Sequence, residues 1–198
     1  MRVSESRFHR GKRHGFTLVE LMIVLFVMGI VASSVIPRLN LSGYRSDAAA
    51  QQVRSVFQTA ERTSLTRQYD VIVSVDTIKG GLRIAEDKNN NGIIESSEVK
   101  FWRPEGEGNH FGTPPIGISG ATVSSAVIGT SIRTVDGFPS LTFHRDGSAS
   151  TDAQVYMSST YKGRVEWRSI TVTRSTSRTE LYKLAGTGAS AKWITVAQ

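Results

Sequence analysis

Between Phe16 and Ile36 the chain reads FTLVELMIVLFVMGIVASSVI, 21 residues in which Glu20 is the single ionisable side chain. As an α-helix rising about 1.5 Å per residue, such a run is long enough to cross a hydrocarbon core of roughly 30 Å. A secretory signal peptide would carry only about 7 to 15 apolar residues, followed by a small-residue cleavage site. Here the run is longer, and Pro37 follows it.

The residues ahead of this run set its direction. Arg2, Arg7, Arg10, Lys12 and Arg13 stand against Glu5, so about +4 of the chain's formal +7 lies in the first fifteen positions. The positive-inside rule holds that side in the cytoplasm and sends everything after Ile36 outward. The isoelectric point near 10 is then mostly a topology signal, because only about +3 belongs to the rest of the chain. Glu20 is the exception within the apolar stretch. A carboxylate there costs about 2.5 to 3.5 kcal/mol on insertion scales, so it needs a partner, or a place near the interface where it stays solvated or protonated.

Arg13-His14-Gly15-Phe16-Thr17-Leu18-Val19-Glu20-Leu21 resembles the cleavage and methylation signature of type IV pilins and type II secretion pseudopilins. The resemblance implies that a membrane prepilin peptidase cuts between Gly15 and Phe16 on the cytoplasmic side and that the new Phe16 amine is N-methylated. It also implies that Glu20, then fifth in the mature chain, pairs with the Phe16 amine of a neighbouring subunit in a filament. Buried ion pairs often only break even in stability, but an unpaired charge is costly enough to set register. A plain signal anchor also places basic residues before an apolar span. The Gly-Phe-Thr-Leu-x-Glu spacing separates this chain from that simpler case.

Past Pro37, apolar residues at Ala49, Val53, Val56, Phe57, Ala60 and Leu65 keep close to helical spacing through Ala48–Arg67. This predicts an amphipathic second half of one long helix, kinked at Pro37 and loosened at Gly43. From Tyr69 onward, short β-branched or alternating runs are separated by turn residues. Strands are expected at Val71–Val75 and Leu82–Ala85, a hairpin around Lys79-Gly80-Gly81, and then at Val99–Arg103, Ala121–Ile128, Ser140–His144, Ala153–Met157, Val165–Thr173, Glu180–Leu184 and Lys192–Val196. The stretch from Pro104 to Gly120 reads as an exposed loop. A helix followed by strands gives an α+β class, a long N-terminal helix packed on an antiparallel β-sheet domain in the pilin manner. The expected organisation is a cleaved leader over 1–15, a transmembrane helix over 16–36, its amphipathic continuation over 37–68 and a β-rich globular domain over 69–198. The absence of cysteine excludes a disulfide framework, a thiolate metal site and a cysteine nucleophile.

The Phe57–Arg67 helix end, the strand pair before an acidic Asn-Gly loop ending at Glu98, and Leu141-Thr142-Phe143 followed by Asp146-Gly147 resemble the GspH/FimT branch of minor pseudopilins and pilins. That resemblance implies a subunit of a type IV pilus or type II secretion pseudopilus acting in priming or at the tip, with a major pilin as the near alternative. Its implied partners are the prepilin peptidase, other pilin or pseudopilin subunits and the inner-membrane assembly machinery. The implied location is a single pass through the inner membrane, with the N-terminus cytoplasmic, the globular domain periplasmic and the subunit taken up into a filament.

Two further constellations carry chemistry. Asp87-Lys88-Asn89-Asn90-Asn91-Gly92-Ile93-Ile94-Glu95-Ser96-Ser97-Glu98 fits the twelve-residue spacing of an EF-hand loop. Side-chain oxygens of Asp87, Asn89, Asn91 and Glu98 and the Ile93 carbonyl could surround a calcium ion, with Glu95 acting through water and Gly92 making the turn. No helix clearly follows Glu98, two Asn replace Asp, and a solvated Asn-Gly hairpin loop accounts for the same residues. No cofactor is required otherwise. The second constellation is basic. Some FimT-branch relatives resemble DNA-uptake pilins with a Gly-Arg-x-Arg element, and this chain has Gly163-Arg164-Val165-Glu166-Trp167-Arg168, then Arg174 and Arg178. Arg164, Arg168, Arg174 and Arg178, interleaved with Trp167, Tyr182 and Trp193, could hold phosphates and stack bases, although Glu166 interrupts the cluster. The chain lacks GxSxG, HExxH and P-loop motifs, and His9 and His14 fall in the leader, leaving His110 and His144 isolated. A structural subunit rather than an enzyme is expected.

Overall fold

The computed structural model describes residues 15–35, 41–91 and 93–196, and the chain divides into two units, one ending at Asn40 and one beginning at Leu41. In the first unit, helix α1 spans Leu18–Val35. Thr17 caps it. Its Oγ1 accepts the Glu20 N–H at 3.2 Å, and its carbonyl accepts the Leu21 N–H at 3.1 Å, which satisfies donors that an uncapped first turn would leave open. Apolar side chains lie all round α1, so no single face is set aside for a core. Their exposure runs from 45% at Val24 to 75% at Leu18. Among the described residues no helix is long and apolar enough to cross a membrane. As described, α1 has 18 residues, a rise of about 27 Å. The end of the expected span at Ile36 and the expected kink at Pro37 lie outside the described residues.

The second unit begins with helix α2, Leu41–Arg67, seven residues earlier than the apolar spacing indicates. Its buried face is Ser42, Ser46, Ala49, Ala50, Val53, Phe57, Ala60 and Ser64, a run of three- and four-residue steps. The first two members are serines, which a search for apolar residues passes over. Their small size lets the helix approach the strands, and the Ser46 hydroxyl donates back to the Ser42 carbonyl at 2.8 Å. Gln68 closes the helix in the left-handed region (φ +60), with its N–H on the Ser64 carbonyl at 2.9 Å.

Two antiparallel sheets follow. The first contains β1 (Asp70–Asp76), β2 (Gly81–Asp87), β3 (Val99–Trp102), β6 (Arg133–Val135) and β7 (Phe138–Phe143), in the order β3-β2-β1-β7-β6. The second contains β4 (Asn109–Phe111), β5 (Val127–Gly129), β8 (Ala153–Tyr161), β9 (Arg164–Val172), β10 (Thr179–Ala185) and β11 (Lys192–Thr195), ordered β11-β10-β9-β8-β4 with β5 also on β8. Asp76 pairs with Gly81 across the first hairpin, and Tyr161 pairs with Arg164 across the β8–β9 turn. The core lies where α2 meets both sheets. Val53 and Phe57 join Val71, Val73, Leu82, Leu141 and Phe143 of the first sheet and Val155, Ile170 and Leu181 of the second. The α+β architecture, an N-terminal helix packed on antiparallel sheet, is the expected one.

The structure revises several strand expectations. Ala121–Ile128 contracts to β5, Val127–Gly129. The Pro104–Gly120 stretch is not simply an exposed loop, because it contains β4, whose Phe111 is 4% exposed. Strand β6 was not expected at all. Three-residue strands hold too few alternating positions for a period to register. The turn after β6 did leave a signal. Asp136 and Gly137 have φ of +52 and +83 and join Val135 to Phe138, and an Asp-Gly pair in this conformation marks a two-residue hairpin.

Candidate functional site

Gly15, Phe16 and Thr17 precede α1 without regular structure, and all three are exposed, as a segment must be if it is to enter a peptidase cleft. A Cβ added at Gly15 would meet nothing within 4 Å. The fold of this chain therefore places no demand for glycine at this position, and any requirement for a small residue there is imposed from outside. Phe16 is 84% exposed. Glu20 lies in the first turn of α1, where a carboxylate is favourable to the helix dipole, and among the described residues its side chain makes no hydrogen bond or ion pair. The leader residues 1–14 lie outside the described residues. The geometry is thus an accessible peptide bond, a capped helix start and an unpartnered acid on an apolar rod.

The acidic loop leaves β2 at Asp87 and ends in a turn of 3-10 helix, Ser96–Glu98. Its oxygens turn inward. Asp87 Oδ1 and Asn89 Oδ1 each accept the Asn91 N–H at 3.1 Å, and Asn91 Oδ1 accepts the Ile93 N–H at 2.7 Å. Glu98 accepts the Lys88 N–H at 3.3 Å and the Glu95 N–H at 3.4 Å, while Glu95 accepts from the Asn89 amide at 3.3 Å. All six expected ligand residues share this one loop, and Gly92 lies outside the described residues. Among the described residues no group of three or more His, Cys, Asp or Glu is placed to hold a metal ion. Much of the carboxylate and amide capacity is engaged with the loop's own backbone.

The four arginines do not form one surface. Arg168 is only 2% exposed, which removes it from any phosphate-binding set. Its Nε donates to Asp47 at 2.6 Å, its Nη1 to the Trp167 carbonyl at 2.8 Å and to Glu166 at 3.4 Å, and its Nη2 to the Gly43 carbonyl at 3.3 Å. Arg164 and Arg174 are exposed, and Arg178 pairs with Glu180 at 3.1 Å. Residue types alone cannot tell a buried arginine that ties α2 to β9 from one facing solvent. The nearest clue was Asp47, directly after the buried Ser46 and at the edge of the buried face.

A cleft of about 560 Å³ is lined by Thr63, Arg67, Tyr69, Glu86, Lys88 and Lys100. The Tyr69 hydroxyl donates to Glu86 at 2.7 Å, and Lys100 lies 3.3 Å from it. The Tyr69 bond holds the Glu86 carboxyl below its ordinary value, with help from the two lysines and against desolvation. His144 meets Asp70 through Nδ1 at 2.8 Å. The nearby Ser64 hydroxyl donates to the His144 main-chain carbonyl at 3.0 Å, so it is not presented to the ring as a nucleophile would be.

Residues 10–36 match the family described as prokaryotic N-terminal methylation motif. The type II secretion system core protein G of Klebsiella michiganensis is 48% identical over 46 residues, which cover 23% of this chain and 31% of that protein. The match therefore spans about a third of the relative's length. No solved structure matches the chain significantly.

Proposed function

We infer that this chain, a pilin- or pseudopilin-type protein by its prepilin motif, is a minor subunit that primes or tips a type IV pilus or a type II secretion pseudopilus. Prepilin peptidase removes residues 1–15, the Phe16 amine is methylated, and the apolar segment from Phe16 to Ile36 anchors the subunit in the inner membrane with its β-rich unit outside. On assembly the Glu20 carboxylate meets the Phe16 amine of a neighbour. The observation that carries this reading is the coincidence of the motif with the exposed, capped start of a helix that is apolar all round. Such a helix has no core of its own and is stable only in lipid or among other subunits.

Mass spectrometry of the protein from its native membrane tests the processing step, which requires an N-terminus at methylated Phe16; Met1 retained and Phe16 internal in every molecule would refute it. For assembly, Glu20→Ala is cleaved normally but enters filaments poorly. Normal filament incorporation of that variant removes the proposed role of the acid.

Two subsidiary readings have their own support. The 87–98 loop is a weak structural calcium site, supported by its twelve-residue spacing and the oxygen-bearing side chains at the ligand positions, with Kd about 10⁻⁴ to 10⁻³ M as in extracellular modules. Titration calorimetry with millimolar calcium, repeated with Glu98→Ala, checks it, and absence of heat in both samples rejects the site. The alternative of a DNA-binding minor pilin retains the exposed Arg164 and Arg174 but loses Arg168 to the core.

A further inference from the structure

The turn between β8 and β9 carries a group of exposed cations and aromatics with no part in the cleavage and assembly chemistry. Lys162 and Gly163 form its tip, with φ of +48 and +75. The Arg45 guanidinium from the first turns of α2 sits over the Tyr161 ring at 4.3 Å, and the Lys162 ammonium lies 5.5 Å from the same ring. Arg164 follows on β9, and Tyr44, one residue before Arg45, is 75% exposed. Arg45, Lys162 and Arg164 are all exposed, and none has a carboxylate partner among the described residues.

The neighbouring acids leave this positive charge largely uncancelled. Asp47 and Glu166 are both held by the buried Arg168. Glu107 is the exposed acid nearby, one residue before the Gly108 carbonyl that accepts the Thr160 N–H. Three exposed cations thus stand without a carboxylate partner among the described residues, two of them over the Tyr161 ring. Tyrosines of this kind favour the headgroup level of a bilayer, and cations there are attracted by anionic lipid. The patch also lies at the start of α2.

We propose that Arg45, Lys162, Arg164, Tyr44 and Tyr161 form a docking surface for the anionic lipid headgroups of the membrane in which the subunit waits before assembly. This rests on the membrane-anchored reading given above. At about 1 kcal/mol per basic residue near an anionic surface, three cations favour the docked state on the order of 100-fold, less in high salt.

The chain contains no cysteine, so single fluorophores can be placed at Thr160→Cys, beside the patch, and at Gly29→Cys, where an added side chain meets nothing within 4 Å. The full chain is reconstituted in vesicles of phosphatidylcholine alone or mixed with phosphatidylglycerol. The label at 160 should be quenched several-fold more by headgroup-spin-labelled lipid in the anionic vesicles. That difference should vanish in the variant Arg45→Gln, Lys162→Gln, Arg164→Gln, whose circular dichroism melt should match the parent because all three side chains are exposed. Equal quenching in the two lipids, or quenching that survives the triple change, overturns the proposal. The label at 29 separates the two levels: if acyl-chain-spin-labelled lipid quenches 29 while 160 is unaffected, the anchor stands and docking fails. If 29 is not quenched, the anchor fails and docking with it. A duplex DNA gel shift abolished by the triple change, with no dependence on lipid charge, assigns the patch to nucleic acid and overturns docking as well.

Discussion

Removing Asp47 should destabilise the second unit more than removing the buried cation it serves. Arg168 is enclosed, its side chain 3% exposed, and its strongest bond is the 2.6 Å contact to Asp47. Glu166 is a second carboxylate at 3.4 Å, and the Trp167 and Gly43 carbonyls take two more N–H groups. Asp47→Ala leaves a buried guanidinium with one distant acid. Breaking a buried pair from one side costs about 3 to 5 kcal/mol. Glu166 remains and Asp47 is itself 35% exposed, so about 2 to 3 kcal/mol is expected here. Arg168→Met instead removes the charge, fills the space with an apolar stem and lets both acids turn to water, at about 1 kcal/mol. Urea unfolding of the full chain in mild detergent, followed by Trp102, Trp167 and Trp193 fluorescence, reads the order, with the Asp47→Ala midpoint lower by about 1 M or more. The double variant should be no less stable than Asp47→Ala alone. If Arg168→Met proves the more damaging single change, the guanidinium is a net contributor in its own right and the reasoning fails.

Other expectations follow from single contacts. Glu86 is depressed below its ordinary value of 4.5, first by the Tyr69 hydrogen bond. Its contribution is therefore complete above the unfolded-state value and is lost as the pH falls through the lower folded value. Thermal melts taken from neutral pH into acid should show the parent losing stability below about 4.5 more steeply than Tyr69→Phe; parallel curves would contradict this. Phe57→Ala empties a fully buried position against Phe143, 6.1 Å between ring centres, and should cost about 3 to 5 kcal/mol, read as a fall in Tm of roughly 10 °C. Gly163→Ala meets open space at φ +75 and should cost about 1 kcal/mol. Gly108→Ala, at φ +80 with the Thr160 carbonyl in the way of a Cβ, should cost more in the same melts. Gly15→Ala should leave the melt unchanged, because nothing surrounds that position, while cleavage assayed with a prepilin peptidase is lost.

What could be read without coordinates was local or periodic. The motif from Gly15 to Glu20 is contiguous, and an unbroken apolar run declares a helix with no core of its own whatever the rest of the chain does. The spacing of Val53, Phe57 and Ala60 marked the buried face of α2, and β-branched runs such as Val71–Val75 marked their strands, because each repeats its period often enough to register. Tertiary structure decided the rest. It set the burial of Ser42 and Ser46, which depends on how closely the helix approaches the strands, and the three-residue strands β4 and β6, which exist only because β8 and β7 supply their hydrogen bonds. It also decided which arginines face water. Arg164 and Arg168 are four residues apart on β9 and chemically identical, yet one is exposed beside Tyr161 and the other is closed over by Asp47 of α2. Burial and ion pairing are properties of what packs across from a residue, and here the deciding neighbour of Arg168 lies 121 positions away in the chain.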